Sequence, residues 1–371
     1  MNIHASALAH YPGFSSRSLR KLRLFLGDHA NAWGADVPEM MDAGVSQASA
    51  LEFSKWRETH DPQTLAKTLD ARSIRTLCLE DPEYPPLLKE TADPPEVLFI
   101  RGALPDIPSV AIVGSRKYTS YGRRCVSDLV SPLVSVGLRI VSGLALGIDG
   151  LAHEAALKAG NPTLAVLGSG IDDASIYPRE HYRLAERMLA TGGCLISEFP
   201  PGTPGLRHHF PMRNRIIAGM TLATVVVEAH EQSGSLITAK LAIDEGREVL
   251  AVPGSVFSVS SAGCHRLIAM GAKPCLNAQS VLDALSLDRP ELAADVRKDM
   301  PLNPLESRVL GLLDTQRHVD ELVRIDGTDA AKICSALSLL ELKGCIRNVG
   351  GGAWARVGNS APSRLREQIA S

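Results

Sequence analysis

The chain has 371 residues, 45% hydrophobic and 22% charged, with a mean hydropathy of +0.03, values that suit a globular protein of two or three domains and exclude a fibrous or disordered chain. Its 39 Lys and Arg against 41 Asp and Glu leave a net charge of −2, so nucleic-acid affinity, if any, must come from a local basic patch. Seven scattered cysteines, without a C-x-x-C pair or zinc-ligand spacing, read as reduced thiols, and neither a signal peptide nor a membrane-spanning run is expected. The expectation is a cytoplasmic protein without a metal or cofactor.

Residues 1–75 read as helical. Ser15 and Ser16 can cap a helix with Leu19, Leu22, Leu24 and Phe25 on one side and Arg17, Arg20, Lys21 and Arg23 around it. Further helical pieces fall at 38–43, 47–59 and 62–71. The basic group reads either as a nucleic-acid contact or as a solvated charged face, the commoner use of such residues. From Asp81 to Pro95 the proline density forbids a long helix or a central strand, and a short strand follows at 97–100.

From Val110 to about Leu285 apolar runs alternate with helical patterns, the runs falling at 110–113, 138–141, 163–167, 194–198, 223–228 and 248–252. Such repeats predict an α/β fold, a Rossmann-like doubly wound, mostly parallel sheet buried on both faces. Ligands of such sheets lie off the C-terminal strand ends, a rule that collects Gly114-Ser115-Arg116, Gly143, Gly168-Ser169-Gly170, Glu198, Glu228 and Gly254-Ser255 on one edge. Residues 287–301 are charged and proline-bounded, a predicted linker. After it, helical patterns at 304–313, 319–324 and 329–343 and a Gly-turn hairpin make a winged-helix pattern over 302–358, followed by a tail at 359–371. The third of these helices offers only Lys332 and Lys343 amid acidic neighbours, too little charge for a DNA-reading helix, so a protein-contact or structural role is preferred for this module.

Three stretches bear on chemistry. The turn Gly114-Ser115-Arg116 joins an apolar strand to a helix, where N–H groups and the helix dipole favour an anion; it reads equally as an ordinary turn with a surface arginine. The stretch 204–219 packs Arg207, His208, His209, Arg213, Asn214 and Arg215 around Phe210, a mixture that suits single-stranded nucleic acid, cations for phosphates and a ring for a base, but also a basic loop with an aromatic anchor. At Ser233-Gly234-Ser235 a second helix opens with Lys240 one to two turns inside, again an anion-ready turn or simple N-capping. Asp149 and His153, four apart with Glu154 beside them, read better as a capping aspartate and an ordinary histidine than as a metal or acid–base pair. Glu198 and Glu228 serve as well as partners of arginines as they would as catalytic carboxylates. A P-loop, G-x-G-x-x-G after the first strand, H-E-x-x-H and G-x-S-x-G are absent, which argues against ATP hydrolysis by a P-loop.

The ordered motifs V-A-I-V-G-S-R, I-V-S-G-L-A-L-G-I-D-G-L-A-H, A-V-L-G-S-G-I-D, I-S-E-F-P-P-G, F-P-M-R-N-R-I-I-A-G, S-G-S-L-I-T-A, G-R-E-V-L-A-V-P-G and L-I-A-M-G-A resemble the DNA-processing protein A (DprA/Smf) family, densely over 97–276. The resemblance implies a three-part plan: a small helical N-terminal domain (1–75, SAM-like or helix-hairpin-helix-like), an extended Rossmann-like DNA-binding domain (76–286) and a C-terminal winged-helix domain. It further implies a non-catalytic homodimer that binds single-stranded DNA, protects incoming strands in natural transformation, displaces single-strand-binding protein and loads the RecA recombinase. Its phosphate-binding motif falls on Gly114, Ser115 and Arg116. Its basic segment falls on Phe210, Arg213, Asn214 and Arg215 with Arg207 ahead of it, and its serine turn on Ser233, Gly234 and Ser235 with Lys240.

Departures from the family pattern are a lengthened loop at D-D-A-S-I-Y-P, His181 and His265 where asparagine is frequent, and the pair His208-His209. The rival class is a nucleotide-processing enzyme of the phosphoribohydrolase type on a related fold. Its P-G-G-x-G-T turn and following glutamate are missing here, where the chain reads E-Q-S-G-S-L-I-T.

Overall fold

The computed structural model describes residues 2–288, 302–343 and 345–356, which fall into two compact units divided after residue 288. Helices α1 (Ile3–His10), α2 (Ser16–Leu26), α3 (His29–Gly34), α4 (Val37–Asp42), α5 (Gln47–Arg57) and α6 (Pro62–Ala71) open the first unit. Each starts on a polar cap: the side chains of Asn2, Ser15, Asp28, Asp36, Ser46 and Asp61 accept the N–H three residues on, satisfying a donor the helix cannot. Leu8, Leu22, Met40, Phe53 and Leu69 on their inner faces belong to the same buried cluster as Phe99, Leu167 and Leu195 of the sheet. The helical region therefore shares its core with the sheet beside it.

The basic residues of α2 are organised by that junction. Glu96 is wholly buried and takes the Arg23 Nε–H; His29 Nε2 lies 3.1 Å and Arg20 Nε 3.7 Å from it. Arg23 also meets Glu80 at 2.6 Å, and Arg17 and Arg20 meet Asp93. Burial works against the Glu96 charge, but the hydrogen bonds from His29 and Arg23 prevail and hold its pKa below the usual carboxylate range. Arg20 and Arg23 are drawn inward by carboxylates of the following segment, whereas Arg17, though paired with Asp93, and Lys21 remain on the solvated face.

The sheet has nine strands: β1 (Ile74–Cys78), β2 (Val97–Gly102), β3 (Ser109–Gly114), β4 (Arg139–Ser142), β5 (Leu164–Leu167), β6 (Cys194–Ser197), β7 (Ala223–Val227), β8 (Glu248–Ala251) and β9 (Lys273–Pro274), in the order β1-β2-β6-β5-β4-β3-β7-β8-β9. The helices between and after them are α7 (Pro86–Lys89), α8 (Ser120–Ser135), α9 (Ile148–Lys158), α10 (Tyr182–Ala190), α11 (His209–Gly219), α12 (Gly234–Asp244), α13 (Ala262–Ala269) and α14 (Ala278–Asp288). From β6 to β9 every pairing is parallel, while β2 runs antiparallel to both β6 and β1. The expected strands are all present. The structure adds β9 and, from a stretch that reads as helix and lead-in, β1.

The chain builds outward from β3 through β4, β5 and β6, then returns to place β7 on its other flank, with Gly114 in register with Val227. The strand order thus reverses at β3/β7, and the crevice off their C-terminal ends is where such sheets take ligands. No helix among the described residues is long and apolar enough to cross a membrane.

The second unit packs α15 (Pro304–Gly311), α16 (Val319–Asp326) and α17 (Ala330–Leu342) around Val309, Leu322, Ile333, Leu337 and Ile346. Its strands β10 (Arg317–His318), β11 (Ile346–Gly350) and β12 (Ala353–Arg356) make a three-stranded sheet. Gly350, Gly351 and Gly352, at φ +96°, +60° and +79°, turn the hairpin where side chains would be strained. Lys343 is buried against Glu306 at 2.5 Å, so of the two lysines expected on the third helix only Lys332 faces solvent. Of the expected linker 287–301, residues 287 and 288 instead end α14 and the remainder lies outside the described residues, as does the tail 359–371.

Candidate nucleic-acid interface

Gly114 ends β3 where a Cβ would stand 1.9 Å from the Val227 carbonyl oxygen, so only glycine fits. Ser115 is buried. Its N–H donates to Glu228 O at 2.7 Å, and its hydroxyl donates to Lys117 O at 2.8 Å and accepts the Lys117 N–H at 3.1 Å. The closed turn leaves Arg116 and Lys117 exposed at the switch point.

The helix N-terminus beside this turn holds an anion of the protein's own. Glu228, at φ +53° just past β7, accepts the Thr119 N–H at 2.8 Å, the Thr119 hydroxyl and the Ser260 hydroxyl at 3.3 Å. A Cβ at Gly122 would come within 2.2 Å of its carboxylate. The expected anion site in the first turn of α8 is therefore filled, and Glu228 is a buried cap for that helix.

The basic segment around α11 divides into an inner and an outer set. Arg213 is buried, donating from Nη1 to Gly143 O at 2.6 Å and to Val166 O, and from Nε to Asn214 Oδ1 at 3.2 Å. Asp149 lies in the same interior and accepts the Gly143 N–H at 3.1 Å. Burial raises the Asp149 pKa and lowers that of Arg213, each shift opposed by the other's charge. Asn214 donates to Gly234 O at 3.4 Å, tying α11 to the start of α12. Arg215 meets Glu198 at 2.6 Å and Asp93 at 3.6 Å. The expectation of free cations at 213 and 215 thus gives way to two arginines whose partners lie inside.

The outer set faces solvent. Arg207 and His208 are exposed and Phe210 is half-buried, with the Arg116 guanidinium 5.6 Å from its ring centre. Tyr177 approaches the same ring at 5.6 Å, and His209 stacks on Phe199 at 4.0 Å. Among the described residues neither Arg116 nor Arg207 meets a carboxylate. Ser233 caps α12 weakly, accepting the Ser235 N–H at 3.4 Å, and Gly234 leaves the backbone there open. Lys240 is exposed six residues along α12, roughly 9 Å of helix rise from that opening.

The remaining weighed residues are structural. His153 is fully buried against the Thr163 hydroxyl at 2.9 Å, and burial pulls its pKa down to about 3. His181 Nδ1 lies 2.8 Å from Leu144 O, and His265 Nε2 3.1 Å from Gly254 O, so both histidines engage loop backbone at strand ends. Among the described residues no group of three His, Cys, Asp or Glu could hold a metal ion. Sequence reasoning passed over Tyr177 as part of a loop. Its only signal is an aromatic between Ile176 and Pro178 in a loop with no helical or strand period.

Two family models match the chain: DNA recombination-mediator protein A over residues 75–286 and the DprA winged helix domain over residues 293–352. The DNA processing protein DprA of Streptococcus pneumoniae is 45% identical over 261 residues, covering 70% of this chain and 86% of its own. Protein Smf of Escherichia coli is 40% identical over 279 residues, 72% of this chain and 74% of that one. The X-ray structure of the Streptococcus pneumoniae protein superposes with a TM-score of 0.67 at 36% identity, over 76% of this chain and 98% of that one. The Helicobacter pylori DNA processing protein A, whose structure is described for its single-stranded DNA binding mode, gives 0.51 at 29% identity, over 58% and 96%.

Proposed function

The chain belongs to the DNA recombination-mediator protein A (DprA/Smf) family, and from that premise we propose that it binds single-stranded DNA across the C-terminal edge of its sheet and acts without catalysing a reaction. The observation that carries this reading is the outer cluster at the strand-order reversal: Arg116 over Phe210, Tyr177 against the same ring, and exposed Arg207 three residues before it, neither arginine with a carboxylate partner among the described residues. Cations there neutralise phosphates and rings give unstacked bases a face. The Gly114-Ser115 turn acts by presenting Arg116, and the opening Ser233-Gly234-Ser235 supplies further donors, with Lys240 on the same helix. Arg213, Asn214 and Arg215 act indirectly, holding α11 so that Phe210 stays at the edge.

The same reading makes the protein a cytoplasmic homodimer that protects incoming strands in natural transformation. It displaces single-strand-binding protein and loads the RecA recombinase, with no cofactor. Phosphate contacts carry no base code, so sequence preference is weak. Fluorescence anisotropy with a labelled oligonucleotide, single-stranded against duplex, should give clear preference for the single strand. Added to strands coated with single-strand-binding protein, the chain should shorten the lag of recombinase filament formation. Equal affinity for duplex would overturn the binding reading, and an unchanged lag the loading one.

A further inference from the structure

Phe210 is the ring that the basic segment offers to a base, yet its surroundings leave it little room. The Arg116 guanidinium stands 5.6 Å from its centre, Tyr177 stands 5.6 Å away at an interplanar angle of 37°, and a Cβ on Gly168 would lie 3.0 Å from its Cδ1. Tyr177 is differently placed. One side rests on the backbone of Gly205, where a Cβ would come within 2.8 Å of the ring, and its edge meets Phe210. Even so, 48% of the residue is exposed, and among the described residues its hydroxyl has no hydrogen-bond partner. The chain is only 4% aromatic, and among the described residues Tyr177 is the exposed ring that packs against Phe210, the ring over which Arg116 lies, so its place in water needs an account.

We propose that Tyr177 is the platform on which a nucleobase stacks, with Phe210 as its buttress and Arg116 and Arg207 holding the flanking phosphates. This inference rests on the single-strand reading above and refines it. Gly205 and Phe210 fix the ring before the strand arrives, so little freedom is lost on stacking, and any base suffices because every base has a π-face. Stacking moves no ion, whereas a phosphate contact releases counterions. The two kinds of contact therefore separate in a salt series.

The test is anisotropy over a salt series with an oligo(dT) strand and with an abasic strand of the same length. The proteins are the wild type, Tyr177→Ala, Tyr177→Leu and Tyr177→Phe. The leucine variant keeps apolar bulk against Gly205 and Phe210 and guards against a folding defect in the alanine variant. Expected are about tenfold weaker oligo(dT) binding for Ala and Leu, wild-type binding for Phe, an unchanged salt slope in all, and no effect on the abasic strand. Wild-type affinity in the Ala and Leu variants, or a reduced slope, overturns the platform while the single-strand reading stands. Failure of the wild type to bind either strand overturns both.

Discussion

Arginine gathers in two parts of this fold, helix α2 and the sheet edge, and the two use it in opposite ways. On α2, Arg17, Arg20 and Arg23 all reach carboxylates, those of Asp93, Glu80 and the buried Glu96. At the edge, Arg116 lies over a ring and Arg207 lies in solvent, and neither has a carboxylate among the described residues. The same side chain is a clamp where an anion is folded against it and a binding group where none is. Arg213 and Arg215 show the division within one helix, since both sit in the basic segment yet turn to Gly143, Val166, Glu198 and Asp93.

The contrast breaks first at Glu96. Glu96→Ala leaves Arg23, Arg20 and His29 without their buried counter-charge, and urea denaturation should report a loss of about 3–5 kcal/mol. A loss under 1 kcal/mol would mean that α2 is not clamped in this way. Arg213→Gln belongs to the same side of the comparison. It should lower the melting temperature, while the protein that remains folded keeps the wild-type salt slope for a single strand, and a shallower slope would return Arg213 to the phosphate contacts.

A middle-sized effect is expected from His153. Its folded pKa lies near 3 and its unfolded one near 6.5, so the unfolded state binds the extra proton between them and stability falls as the pH drops through that window. The loss between pH 7 and pH 5 should be about 2 kcal/mol, and His153→Gln should remove that part of the pH dependence in thermal melts. Equal acid sensitivity in the variant would place the proton elsewhere. The smallest effect belongs to the winged-helix unit. Lys332→Ala should leave single-strand affinity and salt slope unchanged, and a fall in either would bring that unit into the interface.

The parallel strands were legible because each is a continuous apolar run between turn residues, and the edge residues followed from the rule for such sheets. The antiparallel extension was not. Ile74–Cys78 is a short run with Arg75 and Thr76 inside it, and it becomes a strand only by pairing with Val97–Gly102. Inner and outer arginines were equally illegible, because the partners of Arg213 stand 70 and 47 residues away in sequence. Glu228 read as a possible catalytic or pairing carboxylate. Its role as a helix cap depends on a left-handed backbone and on Gly122, neither visible in a local pattern.

The most direct measurement is the dependence of single-strand affinity on salt for the wild type and for Arg116→Ala with Arg207→Ala. Loss of two phosphate contacts should lower the slope of log K against log salt by about 1.4, with the melting temperature unchanged. A slope equal to that of the wild type would mean that the strand does not cross the sheet edge at these arginines.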